Sequence, residues 1–392
     1  MHIAVVSLGA FGHVNPTLEL VTELVHRGVR VTYFCTEAFR RIVEPTEARF
    51  VAVPSWMEAH AGETGADKSD VAATVPFLFL HEAQAYLEPV LTELKGDRPD
   101  AIVHDFAGIA GTLASDVLDV PNVMLYTSYP ANGEYSVAAG FETVAPDHPL
   151  RVAAAELADG FVAKYGCRRM TVKEIFDGRG DLNLVMMQKR LVPHSETFDD
   201  SFVFTGVQIG KRTAFGSWQA PADGKPLLYS SLGTAFNNWP EYYPILFDAV
   251  RDLDIHVFAA LGSIDPASLQ DVPANVELGQ MVPQLDILSQ ASVFITHAGM
   301  GGTGEAIYYG EPMIAIPQMD EQAVTAGQIE KLGLGIAFHG KDGVTSQSLK
   351  MAIERILQED SYRETLQAFS ADMRSLGGAK ASADALVRFL NR

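Results

Sequence analysis

The chain has 392 residues, 47% of them hydrophobic and 20% charged, which is the composition of a folded protein and excludes a disordered chain. With 49 acidic against 29 basic residues its formal charge is −20, so its surface would repel a phosphate backbone and nucleic-acid binding is not expected. Cys35 and Cys167 are its only cysteines, which excludes a disulfide framework and fits a reducing compartment. The length points to two domains or one large one.

The N-terminal pattern predicts a buried strand and not a targeting segment. The first residues, MHIAVVSLGAFGH, are apolar, but they lack a basic leader and are interrupted early by glycine and histidine. No apolar run approaches the roughly 18–20 residues that cross a bilayer. We therefore expect a cytoplasmic protein without a membrane partner. We also expect a monomer or a weak dimer.

Short apolar runs alternate with helical stretches in the first half of the chain, as in parallel sheets covered by helices on both faces. Pro16 is predicted to open the first helix and Gly28 to end it. The predicted strands span residues 2–8, 29–35, 100–105 and 121–127, and the predicted helices span 16–26 and 108–118. This pattern indicates one doubly wound domain.

Glycine, proline and polar residues interrupt any period at 206–223, which predicts a linker. Beyond it a second α/β series begins. We predict two doubly wound, Rossmann-like parallel-sheet domains facing each other across a cleft. The first spans residues 1–205, the second spans 224–375, and a last helix at 376–392 packs back on the first. The carboxyl edges of both sheets would line the cleft, where such folds bind ligands.

A histidine and an aspartate follow two predicted strands of the first domain. His13 can take a proton near neutral pH, or it can simply pack at the helix start. Asp105 can accept the second imidazole N–H, which would fix the ring and stabilise its protonated form, or it can cap its own helix. Strand alternation turns the neighbouring His104 to the other side.

The segment HAGMGGTGE, at 297–305, follows a predicted strand and opens a helix. Glycines let the backbone approach a ligand closely, and the unpaired N–H groups of a helix start favour an anion. The alternative is a tight strand-to-helix turn without a ligand. The candidate phosphate-binding residues are His297, Gly299, Gly301, Gly302 and Thr303.

A second glycine loop, with Ser231, Gly233 and Thr234, follows the first strand of the same predicted domain. Its N–H and hydroxyl groups can reach the same anion, and two anion loops suit a nucleotide diphosphate. The glycines of HAGMGGTGE also match GxGxxG, and Asp320 stands where a dinucleotide-binding fold places its ribose acid. A nicotinamide- or flavin-dependent oxidoreductase is therefore an alternative, although it leaves His297 without a role.

Acidic and amide side chains near these loops suit a polyhydroxylated ligand. Glu305 can accept both hydroxyls of a ribose, or it can simply favour the helix dipole. Asp320, Glu321 and Gln322 follow the next strand. They can bind sugar hydroxyls, or they can form a solvated helix start.

Five motifs together resemble those of the family 1 UDP-glycosyltransferases, particularly the bacterial macrolide type. They are GHVNP at 12–16, SLGTAF at 231–236, VPQ at 282–284, THAGMGGTGE at 296–305 and PQMDEQ at 317–322, and they span nearly the whole chain. The resemblance implies the GT-B fold and transfer of a hexose, such as glucose, from a UDP-sugar to a small hydrophobic acceptor. The acceptor would be a macrolide, a flavonoid or another phenol, and the transfer would invert the anomeric carbon.

The resemblance also implies a role for each motif. His13 would be the general base and Asp105 its partner. Many relatives carry a tryptophan before VPQ where this chain has Met281, a polarizable but non-planar surface, so the choice of nucleotide stays open. The implied donor contacts are Met281, Val282, Gln284 and Glu305 for the nucleoside, Ser231, Thr234, His297, Gly299 and Thr303 for the diphosphate, and Glu321 and Gln322 for the sugar.

The nucleotide sugar is expected as a substrate, with no permanently bound cofactor and no metal. A DxD motif, Asp252 to Asp254, resembles one that holds a divalent ion in other glycosyltransferases. Here it is predicted at the amino edge of a strand, away from the ligand edge. The helix start and His297 would instead stabilise the charge of the departing diphosphate.

Acceptor contacts are expected from the first domain. The residues that can line an apolar pocket there are Phe77, Phe79, Tyr126, Ser128 and Asn132. Phe77 and Phe79 can equally be ordinary core. A protein that binds a nucleotide sugar without turnover is a third hypothesis, but simple binding needs no poised base.

Overall fold

The protein, in a computed structural model, is described over residues 1–60, 71–137, 144–210, 212, 215–233 and 239–392. The chain forms two compact units. Unit 1 is Met1–Gln208 together with Gly377–Arg392, and unit 2 is Ile209–Leu376. Each unit contains a parallel sheet with helices, so the predicted α/β class with two Rossmann-like domains is confirmed. Within the described ranges, no helix is both long and apolar enough to span a bilayer.

The sheet of unit 1, over the described residues, has seven parallel strands in the order β3-β2-β1-β4-β5-β6-β7. The order reverses between β1 and β4, so the loops after these strands diverge and leave a crevice at the carboxyl edge. The strands are β1 (His2–Val6), β2 (Arg30–Cys35), β3 (Arg49–Ala52), β4 (Ala101–Asp105), β5 (Asn122–Tyr126), β6 (Leu182–Val185) and β7 (Phe202–Phe204).

The sheet of unit 2 repeats this plan with six parallel strands among the described residues, in the order β10-β9-β8-β11-β12-β13. Its order reverses between β8 and β11, which creates the corresponding crevice. The strands are β8 (Leu227–Ser231), β9 (His256–Ala260), β10 (Val276–Gly279), β11 (Val293–Thr296), β12 (Met313–Ala315) and β13 (Gly335–Ala337).

Helices connect the strands in both units, and the last one returns to unit 1. There Ser382 donates a hydrogen bond to Thr205 at 2.9 Å and accepts one from Gln208 at 2.8 Å. The helices are α1 (Phe11–His26), α2 (Arg40–Val43), α3 (Trp56–Ala59), α4 (Val71–Gly96), α5 (Ile109–Leu118), α6 (Pro149–Tyr165), α7 (Val172–Asp177), α8 (Tyr242–Val250), α9 (Gln284–Leu288), α10 (Met300–Tyr309), α11 (Asp320–Lys331), α12 (Ser346–Gln358), α13 (Ser361–Ser375) and α14 (Gly378–Leu390).

The central strands of the unit 1 sheet are buried on both faces, which suits their largely apolar residues, whereas the edge strand β3 is only partly buried. Ile3 and Val5 of β1 face a core that α1 and α14 close. Ala4 and Val6 of the same strand face the opposite core, under α4 and α5. The loops at the strand ends are therefore carried by a sheet that is packed on both sides.

Helix α1 begins at Phe11, so the prediction that Pro16 opens it is wrong. Ala10 precedes the helix with extended backbone angles, and Pro16 lies inside it. The proline removes one helical hydrogen bond, to the carbonyl of Gly12, and the helix continues to His26. His13 consequently lies in the first helical turn and not in the loop before the helix.

Candidate active site

His13 and Asp105 meet at the crevice of unit 1. His13 lies in the first turn of α1, and Asp105 is the last residue of β4. Nδ1 of His13 is in hydrogen-bond contact with Oδ2 of Asp105, and their side chains are 18% and 2% exposed. Because a carboxylate only accepts hydrogen bonds, Nδ1 carries the proton and Nε2 is the nitrogen that can take one up.

The second carboxylate oxygen of Asp105 holds the turn before α5. It accepts hydrogen bonds from the N–H groups of Ala107 at 3.1 Å and Gly108 at 2.9 Å. Burial opposes ionisation, but the charge of His13 and the hydrogen bonds from His13 and Gly108 outweigh it and lower the pKa of Asp105. Asp105 therefore contacts His13 through Oδ2 and caps the turn before α5 through Oδ1, so the two alternatives are not exclusive.

His104 faces away from this pair, as strand alternation predicts. Its Nδ1 bonds to the carbonyl of Asp105 at 2.8 Å, and its Nε2 lies 2.7 Å from Oδ1 of Asn122. Burial lowers the pKa of His104. The ring packs so closely on α5 that a Cβ at Gly111 would lie 2.6 Å from it. His104 is thus a packed core residue.

Aromatic rings extend from His13 toward α4. Phe106 lies edge-on to His13, with 5.6 Å between ring centroids. Phe79 of α4 lies 6.1 Å from Phe106. Phe79 is half-buried, so its place beside the base keeps it a candidate for acceptor binding.

A group of rings on α3 and α4 was missed by the sequence prediction. Trp56 lies parallel to His60 at 4.3 Å and to His81 at 4.4 Å between centroids. Phe77 meets His81 edge-on at 4.4 Å. The spacing of Phe77 and His81, one helical turn apart, was a signal for a shared face, but nothing in the sequence places Trp56 beside them.

Two of the other predicted acceptor residues hold the fold of unit 1. Tyr126 is 1% exposed and donates to the Gly178 carbonyl at 3.1 Å, which corrects the prediction that it lines a pocket. Asn132 donates to Oγ1 of Thr197 at 2.8 Å and accepts from the backbone of Tyr135 at 2.8 Å. Ser128, after β5, is half-buried, and its role stays a prediction.

In unit 2 both predicted phosphate loops follow the strands that flank its crevice. After β11, Ala298 has a φ of +62°, and Gly299 precedes helix α10. A non-glycine residue in the left-handed region is a strained feature that is enriched at functional sites. After β8, Gly233 has a φ of +91°, which favours glycine. Thr234 lies outside the described residues.

The two glycine loops close around the ring of His297. A Cβ at Gly299 would lie 2.4 Å from Nε2 of His297, and a Cβ at Gly233 would lie 3.0 Å from its Cε1. Only glycine fits beside the ring at Gly299 without displacement. The structure thus brings together the loops that the sequence predicts for one anion.

The site around His297 is rich in donors. Burial lowers the pKa of His297 to about 4, although a hydrogen bond with the Ser231 backbone acts to raise the pKa. The ring is therefore neutral at pH 7. Over the part of the chain that the structure describes, Nδ1 of His297 and Oγ1 of Thr303 are buried without a hydrogen-bond partner. The first N–H groups of α10 have no partners within the helix and lie at the positive end of its dipole. These features suit an anion.

Glu305 of α10 is held by two neighbours. Oε1 lies 2.6 Å from Nη1 of Arg212, and Oε2 accepts from Nε2 of Gln284 at 2.5 Å. Gln284 in turn accepts from the hydroxyl of Tyr229 at 3.0 Å. The sequence prediction missed Arg212, because an arginine among the polar residues of a linker carries no spacing signal.

The predicted sugar-binding residues form the first turn of α11, after β12. Gln322 is buried, and its Oε1 accepts from the N–H of Gln318 at 2.8 Å. Gln318 also donates to the carbonyl of Leu232 at 3.2 Å. This contact joins the loop before α11 to the loop after β8.

The VPQ segment follows β10 and ends at Gln284, the first residue of α9. Met281 is 40% exposed, so its thioether is available to a ligand. Val282 packs so tightly that a Cβ at Gly279 would lie 2.6 Å from it. Asp254 of the DxD motif pairs with Lys225 at 2.6 Å, just before β9, at the amino edge of the sheet.

Comparison with known protein families gives one match. Residues 244–387 match the family described as erythromycin biosynthesis protein CIII-like, C-terminal domain. This range contains the loop after β11 together with α10 and α11.

Similarity to individual proteins extends over the whole chain. The chain is 36% identical to the NDP-glycosyltransferase YjiC of Bacillus subtilis, covering 100% of this chain and 98% of that protein. It is 32% identical to the oleandomycin glycosyltransferase of Streptomyces antibioticus, covering 98% and 89%. The crystal structure of the calicheamicin glycosyltransferase CalG4 is similar with a TM-score of 0.85 at 31% identity, covering 100% and 98%.

Proposed function

The chain belongs to the bacterial macrolide-type nucleotide-sugar glycosyltransferases of the GT-B fold, and from this premise we propose that it is an inverting hexosyltransferase. The donor in this proposal is a UDP-sugar, with glucose as the first candidate sugar. The acceptor is a hydroxyl of a small hydrophobic natural product. Family membership overturns the oxidoreductase alternative that the GxGxxG spacing had suggested.

Unit 1 supplies the base in this proposal. Nε2 of His13 takes the proton of the acceptor hydroxyl while that oxygen attacks the anomeric carbon and the bond to the diphosphate breaks. Asp105, which contacts Nδ1, stabilises the imidazolium ion that forms. An α-linked donor gives a β-glycoside. The observation that carries the proposal is this His–Asp contact at the strand-order reversal of unit 1.

Unit 2 supplies the donor site. The loops around His297 would hold the diphosphate, and Glu305 would accept ribose hydroxyls. Negative charge grows on the diphosphate as it leaves, and donors already in position stabilise it without reorganisation. We propose a metal-independent transfer, because Asp254 of the DxD motif pairs with Lys225 at the sheet edge opposite these loops.

Product analysis tests the proposed activity. The full chain is incubated with UDP-glucose or dTDP-glucose and with macrolides, flavonoids and simple phenols, with and without EDTA. We expect hexose adducts by mass spectrometry, a β-linkage by NMR, a preference for UDP-glucose and no effect of EDTA. Tight UDP binding without any adduct would support a binding protein instead, and an α-linked product would contradict inversion.

Replacing Gly299 with alanine is expected to weaken UDP binding at least tenfold, since the new Cβ would lie 2.4 Å from Nε2 of His297. Gly160→Ala is the matched control, because Gly160 is exposed within α6 and a Cβ there would have no neighbour within 4 Å. Calorimetric titration with UDP measures both. Equal affinities for the two variants would remove the loop after β11 from the donor site.

A further inference from the structure

Arg212 belongs to unit 2, on the segment before β8, and its guanidinium reaches the buried carboxylate of Glu305. The side chains are 15% and 4% exposed, and Nη1 lies 2.6 Å from Oε1. A buried carboxylate without a partner would be strongly destabilised or protonated. Arg212 therefore supplies the charged partner of the Glu305 carboxylate in this position.

Glu305 still has acceptor capacity in this arrangement. Arg212 uses one site on Oε1, and Gln284 uses one site on Oε2. A carboxylate offers about four acceptor sites, two on each oxygen. Among the residues that the structure describes, one site per oxygen is left, which is the number that the two neighbouring hydroxyls of a ribose require.

The segment that carries Arg212 is fastened to unit 2 further along. The N–H of Trp218 donates to Asp286 of α9 at 3.2 Å, and its indole N–H lies 3.2 Å from Glu277 of β10. The N–H of Ala220 donates to Gln290 at 3.1 Å. Residues 212, 218 and 220 of the predicted linker are thus docked on the unit that contains Glu305.

We propose that Arg212 is a positioning residue for the donor nucleoside: it orients the Glu305 carboxylate to accept both ribose hydroxyls, and so sets the preference for ribonucleotide over 2′-deoxyribonucleotide donors. The inference rests on the proposed role of Glu305 in donor binding. It adds a residue and a selectivity to that role.

Calorimetric titration with UDP and 2′-deoxy-UDP tests this proposal. Wild type is expected to bind UDP at least tenfold more tightly than 2′-deoxy-UDP. Arg212→Met is expected to lose about 10–100-fold in UDP affinity, the range for a hydrogen bond to a charged group, and much less for 2′-deoxy-UDP. The ratio of the Kd for 2′-deoxy-UDP to the Kd for UDP would then fall toward one. Arg212→Lys, which keeps the charge, is expected to fall between them.

Arg355→Met is the matched control, because Arg355 forms an ion pair with Glu359 at 2.9 Å on the exposed surface of α12. It should leave the ratio unchanged. Equal losses for both nucleotides in Arg212→Met, or tighter UDP binding, would overturn the proposal. If Arg212→Met melts early, Arg212→Lys and Glu305→Gln carry the same ratio test. Wild type that does not bind UDP would instead overturn the proposed function itself.

Discussion

Replacing His13 with alanine is expected to lower turnover by about 10²–10⁴-fold, the usual contribution of a general base, with little change in UDP affinity. The reason for the first effect is that Nε2 of His13 is the proposed proton acceptor. The reason for the second is that the proposed donor contacts belong to unit 2. Steady-state kinetics with an acceptor that wild type glycosylates and calorimetry with UDP separate the two effects.

The control for this variant is His26→Ala, which changes an exposed histidine in the last turn of the same helix. It should keep wild-type turnover. A His13→Ala protein that retains near-normal turnover would remove His13 from the mechanism. A protein that loses UDP affinity in parallel with turnover would show that His13 acts on the donor and not on the acceptor.

Replacing Asp105 with asparagine is expected to lower turnover by a similar order, about 10²–10⁴-fold, while the protein stays folded. The amide oxygen can still accept from the N–H groups of Ala107 and Gly108, which Asp105 does at 3.1 and 2.9 Å. The amide N–H₂ group, however, now faces Nδ1 of His13 as a donor. The imidazole must then carry its proton on Nε2, where it cannot take another from the acceptor.

The pH dependence of stability gives this variant a second readout. Because the pKa of Asp105 is lowered in the folded state, its stabilising effect is present above its unfolded pKa and is lost as pH falls through the folded pKa. The melting temperature of Asp105→Asn should therefore fall less than that of wild type as the solution is acidified.

Asp199→Asn is the matched control, since Asp199 also caps a turn, accepting from the N–H of Ser201 at 2.9 Å, but in an exposed position. It should keep wild-type turnover. Normal turnover in Asp105→Asn would mean that the carboxylate serves only the turn before α5.

The juxtaposition of His13 with Asp105 could be predicted because strand alternation and parallel topology place both at one sheet edge. The contact of the two glycine loops at His297 was predictable for the same reason. The start of α1 was not, because proline is favoured at the first position of a helix and here lies inside one. Because α1 begins at Phe11, His13 is held by the first helical turn and not by a loop.

Contacts made by side chains from distant elements escaped prediction. Arg212 meets Glu305, and residues 218 and 220 also contact unit 2; local sequence does not encode these contacts of a predicted linker. Trp56 stacks on His81 through the packing of α3 on α4. Tyr126 was predicted to line a pocket, yet its side chain lies in the packed interior, where its hydroxyl donates to the Gly178 carbonyl.

The return of α14 to unit 1 makes that unit discontinuous in the chain. Ala383 and Leu386 are fully buried in the core that α1 and β1 share, so this core has a gap until the last residues are synthesised. Unit 2 is continuous and can complete its own core earlier during synthesis. A truncation that removes only the final helix would consequently damage the half of the protein encoded first.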